Sequence, residues 1–209
     1  MSQPQTIRVL IADDHSVVRQ GLATLIEQES DMTVVAQARD GNEAIALFRE
    51  HQPDVMLMDL RMPNMDGVMA ITTICAESKT AQIMVLTTYD GDEDIYRGLR
   101  AGAKGYLLKD TEPDELLNAI RIISRGQKHI PPAVGAKLAE RMSSPNLSDR
   151  ELEVIRLMAL GKSNHDISTD LNISESTVKF HINRILSKLG VSDRTQAVIV
   201  ALKRGIANL

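Results

Sequence analysis

Five short apolar runs alternate with amphipathic stretches through the first 126 residues: IRVLIA (7–12), MTVVAQA (32–38), DVMLM (54–58), QIMVLT (82–87) and GYLLK (105–109). Their apolar positions are consecutive instead of falling on every second residue, the pattern of strands covered on both faces. Between the runs the apolar spacing changes to three and four residues. The inward positions expected there are Val17, Val18, Leu22, Leu25 and Ile26, then Ala44, Ile45, Leu47 and Phe48, then Val68, Ile71, Ile74 and Cys75. Ile95, Tyr96 and Leu99 follow, then Leu116, Leu117, Ile120 and Ile123. Strand and helix alternating five times predict a doubly wound α/β domain with a parallel five-stranded sheet, over residues 6–126.

Residues 127–146 break this rhythm with Pro131-Pro132 and Ser143-Ser144-Pro145-Asn146, and read as a linker. Val134, Leu138 and Met142 are spaced by four, which predicts a short helix within it. Beyond residue 146 no strand pattern remains. LSDRELEVIRLMALG opens with Ser148 and has Glu151 three residues later, a capping box, and stops at Gly161. SNHDISTDLN, SESTVKFHINRILSKLG and SDRTQAVIVALKRG complete an all-α domain of four helices over 147–209.

Charge sharpens this two-part division. The 209-residue chain carries a net charge of −4, but residues 1–126 hold 12 Lys+Arg against 20 Asp+Glu, and residues 127–209 hold 12 against 8. Net charges of −8 and +4 imply domains with different partners, the second polyanionic. A single cysteine, Cys75, reads as a small buried apolar residue, and a chain of this length needs no disulfide or structural metal. No apolar run approaches the roughly 20 residues of a membrane span, and the N-terminus MSQPQTIRVLIADD lacks a signal-peptide layout. The expectation is a cytoplasmic protein with no membrane partner.

In an open parallel sheet the carboxyl ends of the strands form the ligand rim. The first run ends in Asp13-Asp14, the third in Asp59, the fourth in Thr87-Thr88 and the fifth in Lys109. Asp54 lies at the opposite end of its strand from Asp59, and Asp66, before Gly67, reads as a turn or helix-cap residue. Three clustered carboxylates repel unless a cation joins them. An oxygen-only set with no His or Cys in the pattern favours a hard ion such as Mg²⁺. His15 is assigned a local role at the start of the first helix. A carboxylate with Mg²⁺, an ammonium and a hydroxyl around it suits acceptance of a phosphoryl group by Asp59, with Lys109 and Thr87 meeting the phosphoryl oxygens.

IADDH (11–15), MDLRMPNMDG (58–67), LTTYD (86–90) and YLLKD (106–110) together resemble the receiver domain of bacterial two-component response regulators. The resemblance implies a flavodoxin-like strand order 2-1-3-4-5 and phosphorylation of Asp59 by a histidine kinase. It also implies Mg²⁺ held by Asp13, Asp14, Asp59 and the backbone carbonyl of Arg61, phosphoryl contacts from Thr87 and Lys109, and a switch formed by Thr87 and the aromatic Tyr106. Pro63 and Gly67 would shape the loop after the acceptor.

In the second half, SNHDISTDLNISESTVKFHINRILSKLG has the grammar of helix-turn-helix, turning at Leu171-Asn172-Ile173 and capped by Ser174. Val178, Ile182, Ile185, Leu186 and Leu189 form an inward stripe. The other face shows Ser176, Thr177, Lys179, Phe180, Asn183, Arg184, Ser187 and Lys188, donors and cations suited to phosphates and base edges. Residues 147–198 resemble the LuxR-type DNA-binding domain, and its combination with a receiver resembles the NarL/FixJ class of response regulators. That resemblance implies that Lys179, Phe180 and Asn183 face bases in the major groove of promoter DNA, and that Thr177, Arg184 and Lys188 meet phosphates. It further implies a final helix that dimerises the DNA-bound domains, with Val200 as the expected contact. Partners expected are a cognate kinase, double-stranded DNA, RNA polymerase and a second copy of the chain, with no enzymatic activity beyond self-phosphorylation and autodephosphorylation. Two other readings stay open on these residues: a Mg²⁺-dependent phosphotransferase or phosphatase acting through Asp59 on small molecules, and a regulator that works by protein contact without DNA.

Overall fold

A computed structural model describes residues 6–88, 91–143 and 147–207. The MSQPQ start, Tyr89 and Asp90 of LTTYD, the Ser144-Pro145-Asn146 end of the linker and the last two residues lie outside the described residues. In chain order the first half runs β1 (Ile7–Ala12), α1 (Ser16–Glu27), β2 (Met32–Ala38), α2 (Gly41–His51), β3 (Val55–Met58), α3 (Gly67–Glu77), β4 (Ile83–Thr87), α4 (Asp92–Ala101), β5 (Gly105–Leu108) and α5 (Pro113–Ser124). It continues with α6 (Pro132–Ser143), α7 (Asp149–Ala159), α8 (Asn164–Asp170), α9 (Glu175–Leu189) and α10 (Arg194–Lys203).

The sheet order is β2-β1-β3-β4-β5, with every neighbouring pair parallel. All residues of β3 and β4 are buried, as their unbroken apolar runs require. β1 pairs with β2 on one side and β3 on the other, so the chain reverses its winding there and opens a crevice at the carboxyl ends of β1 and β3. The β5 edge is partly closed by residue 129: the Tyr106 N–H donates to the His129 carbonyl and the His129 N–H to the Lys104 carbonyl.

Two expected core positions are exposed, and several others, Cys75 among them, are only half-buried. Val17 is 83% exposed and Met142 69%, because each sits in a terminal turn of its helix, where nothing on its own element covers it. Cys75 is half-buried, not buried, and packs so close to Gly102 that a Cβ there would lie 2.7 Å from its Sγ. Burial pushes the Cys75 thiol pKa up.

The chain divides into two compact units, one built on the sheet and one containing α7–α10. In the second, Ser148 and Glu151 form a capping box, Ser163 and Asp166 form another, and Ser174 caps α9 by accepting from the Thr177 N–H. Leu171 ends α8, Asn172 adopts a left-handed φ of 51°, and α9 begins after it. Val154, Ile155, Ile167, Val178, Ile185, Ala197 and Ala201 form the centre of this unit's core. Among the described residues no helix is long and apolar enough to cross a membrane.

Candidate functional site

Backbone hydrogen bonds carry the sheet one residue past its strands and so fix the rim. The Asp13 N–H donates to the Ala38 carbonyl at 3.0 Å, the Asp59 N–H to Ala12 at 2.8 Å and the Lys109 N–H to Thr87 at 2.9 Å. Asp13 and Asp59 are 2% and 3% exposed. The Lys109 ammonium bridges them, 2.7 Å from Asp13 Oδ2 and 2.5 Å from Asp59 Oδ2. Burial works against the Lys109 charge, but hydrogen bonds to the two carboxylates and their negative charge outweigh it, and its pKa is raised. Thr87, the last residue of β4, is fully buried, and its Oγ1 has no hydrogen-bond partner. A hydroxyl in that condition costs free energy until an acceptor arrives.

The loop after Asp59 is tightly drawn. The Gly67 N–H donates to the Leu60 carbonyl at 2.8 Å, and a Cβ on Gly67 would stand 2.0 Å from the Asp59 carbonyl oxygen, so only glycine fits. The Arg61 N–H points to Asp59 Oδ1 at 3.4 Å. Asp66 caps α3 through the Met69 N–H at 2.7 Å, and Asp54 accepts the Arg8 N–H at 2.8 Å at the far end of β3. Tyr106 is fully buried in β5.

One residue of the cluster was not among the expected site residues. His15 Nδ1 lies 2.8 Å from Asp14 Oδ1 and 3.4 Å from Asp13 Oδ1, so its ring pairs with the acid pair at the start of α1. Donor atoms of Asp13, Asp14, His15 and Asp59 all fall within 4.8 Å of one another, a set whose charge and chemistry fit a divalent cation.

On α9, Ser176, Lys179, Phe180, Asn183 and Arg184 are exposed. Phe180 is 55% exposed, and the Arg184 guanidinium lies over its ring at 5.6 Å from the centre. The Ser176 and Thr177 hydroxyls sit 2.7 and 2.8 Å from Ser174 Oγ, within the helix cap. Lys188 behaves differently: its ammonium is 2.6 Å from Glu151 Oε2, while Arg184 Nε lies 3.4 Å from Glu151 Oε1. Glu151 is 1% exposed. Burial alone would raise its pKa, but hydrogen bonds from Lys188 and from Ser148 hold its carboxyl below the usual value. Val200 is half-buried on α10, and the exposed apolar residue beside it is Ile199.

Residues 9–121 match the model of the response regulator receiver domain, and residues 145–201 that of the luxR family of bacterial regulatory proteins. The chain is a response regulator of the LuxR-type, NarL/FixJ class. The transcriptional regulatory protein LiaR of Bacillus subtilis is 44% identical over 97% of this regulator and 100% of its own length. The response regulator protein VraR of Staphylococcus aureus is 41% identical over 96% and 99%. A solved complex of the two-component response regulator RcsB with DNA matches at a TM-score of 0.70, with 28% identity over 95% of this regulator and 99% of that chain. The family is one of DNA-binding transcriptional regulators.

Proposed function

We propose that this response regulator, in the cytoplasm, accepts a phosphoryl group on Asp59 from a cognate histidine kinase, and that the acylphosphate controls dimerisation and promoter binding. The observation that carries this reading is the buried Asp59–Lys109–Asp13 cluster beside a buried Thr87 hydroxyl with no partner. Asp13, Asp14 and Asp59, with the Arg61 carbonyl, would hold Mg²⁺. When bound, the ion supplies charge neutralisation of the phosphoryl oxygens. A carboxylate oxygen of Asp59 attacks phosphorus and the bond to the donor's leaving group breaks. Lys109 exchanges its Asp59 contact for a phosphoryl oxygen, and the Thr87 hydroxyl donates to another. Thr87 and the buried Tyr106 then act as the switch. Self-phosphorylation from small donors and autodephosphorylation are the only chemistry assigned to the chain.

The proposed boundaries are 6–126 for the receiver, 127–146 for the linker and 147–209 for the DNA-binding domain. In the latter, α9 enters the major groove with Lys179, Phe180 and Asn183 toward bases, Asn183 pairing with adenine, and Ser176, Thr177, Arg184 and Lys188 along the backbone. A homodimer through Val200 on α10 would match paired half-sites, and RNA polymerase is the downstream partner. Phosphate-affinity electrophoresis after incubation with acetyl phosphate and Mg²⁺ tests the acceptor. The wild type and Asp54→Ala should shift and Asp59→Ala should not; a shifted Asp59→Ala band would refute the assignment.

A further inference from the structure

We propose that Glu151, which lies outside α9, is a positioning residue for DNA recognition: it fixes the Arg184 guanidinium and, through it, the Phe180 ring that discriminates bases. This rests on the reading that Phe180 faces bases in the major groove.

Glu151 belongs to α7 and is almost fully buried. Its Oε2 accepts the Ser148 N–H at 2.7 Å and faces the Lys188 ammonium at 2.6 Å, which fixes the plane of the carboxylate. Oε1 is thereby directed at Arg184 Nε, 3.4 Å away. Arg184 and Lys188 are four residues apart on α9, neighbours on one helix face, so one buried anion holds both cations. Phe180 stands a further four residues back, and its ring lies under the Arg184 guanidinium at a separation of 5.6 Å, within cation–π range. Carboxylate, guanidinium and ring form a continuous chain from the core of this unit to its exposed face.

A guanidinium suits this place because it is planar and carries its N–H groups in a fixed fork. The Nε edge meets Glu151 and one face covers Phe180, which leaves the terminal Nη groups for a backbone phosphate. Exposed Phe and Arg side chains ordinarily sample several rotamers and lose that freedom on binding; side chains already held lose less. A ring reads a thymine methyl group only from a fixed position. Removing the Glu151 charge therefore weakens base discrimination, while the two released cations attract phosphates of any sequence.

Anisotropy titrations of the full-length protein with acetyl phosphate and Mg²⁺ test this on two duplexes, one selected by the wild type from a random-sequence pool and one of scrambled sequence. Their affinity ratio reads specificity. Glu151→Gln should lower the ratio by about tenfold and bind the scrambled duplex as well as the wild type or better. Arg184→Lys, which keeps the charge without the fork and leaves the buried carboxylate in place, should lower the ratio as Phe180→Ala does. In an Arg184→Ala background, Glu151→Gln should lower the ratio no further, yet still lower the thermal midpoint, because the Lys188 contact is lost in either background. An unchanged ratio in Glu151→Gln or Arg184→Lys, with Phe180→Ala lowering it, would overturn the proposal, as would an undiminished effect of Glu151→Gln in the Arg184→Ala background. An unchanged ratio in Phe180→Ala would overturn the parent reading of Phe180 as well.

Discussion

Thr87 has a hydroxyl that the resting protein does not use. Thr87→Val should therefore leave folding stability unchanged or raise it by roughly 1 kcal/mol, since a buried unpaired hydroxyl gives way to a methyl group. Scanning calorimetry checks this, and the same variant should lose its response to acetyl phosphate. Lys188 and Lys179 separate in the opposite sense. Lys188→Ala leaves the buried Glu151 without its nearest cation and should cost roughly 3 kcal/mol of stability, whereas Lys179→Ala on the exposed face should leave the denaturation midpoint alone. The Glu151 carboxyl is held below its ordinary value of 4.5, so its contribution is fully present above that pH and lost as pH falls through the lower folded value. Glu151→Gln should flatten the acid limb of a stability–pH profile below about 4.5; an unchanged limb would show that the carboxylate carries no such linkage. The rim residues were legible in the sequence because each ends an apolar run. The orientation of His15 was not, because a rotamer at a helix start leaves no periodic trace. The tie of Lys188 to a residue 37 positions away was equally silent.

At the scale of elements, the strands followed from their runs almost residue for residue; the runs of β3 and β4 are buried throughout, whereas the edge strand β2 is mostly half-buried. Helix termini were less legible. Val17 and Met142 fit the helical period, but periodicity does not tell whether a neighbouring element reaches the first or last turn. The contact of residue 129 on the β5 edge has no sequence signature except Gly105. A Cβ there would stand 2.5 Å from Ile123 Cδ1 and 2.9 Å from the His129 carbonyl oxygen. Gly105→Ala should thus cost roughly 1–3 kcal/mol through overpacking, read as a lower thermal midpoint, with hydrogen exchange accelerated at the Tyr106 and His129 amides. Unchanged protection of those amides would show that the edge tolerates the methyl group.

Across the whole molecule, charge separates by function: −8 over residues 1–126 and +4 over 127–209. An acidic receiver suits a cation-dependent site and a basic domain suits DNA. Affinity for DNA should fall with salt, and Arg184→Ala, which removes a proposed phosphate contact, should reduce that slope by about one. The central claim is that the state of Asp59 governs what α9 does. Its most direct test is a titration of a duplex selected by the phosphorylated wild type from a random-sequence pool, with and without acetyl phosphate and Mg²⁺. The account predicts that acetyl phosphate tightens binding by the wild type and leaves Asp59→Ala at the unphosphorylated affinity. Equal tightening in Asp59→Ala would contradict it.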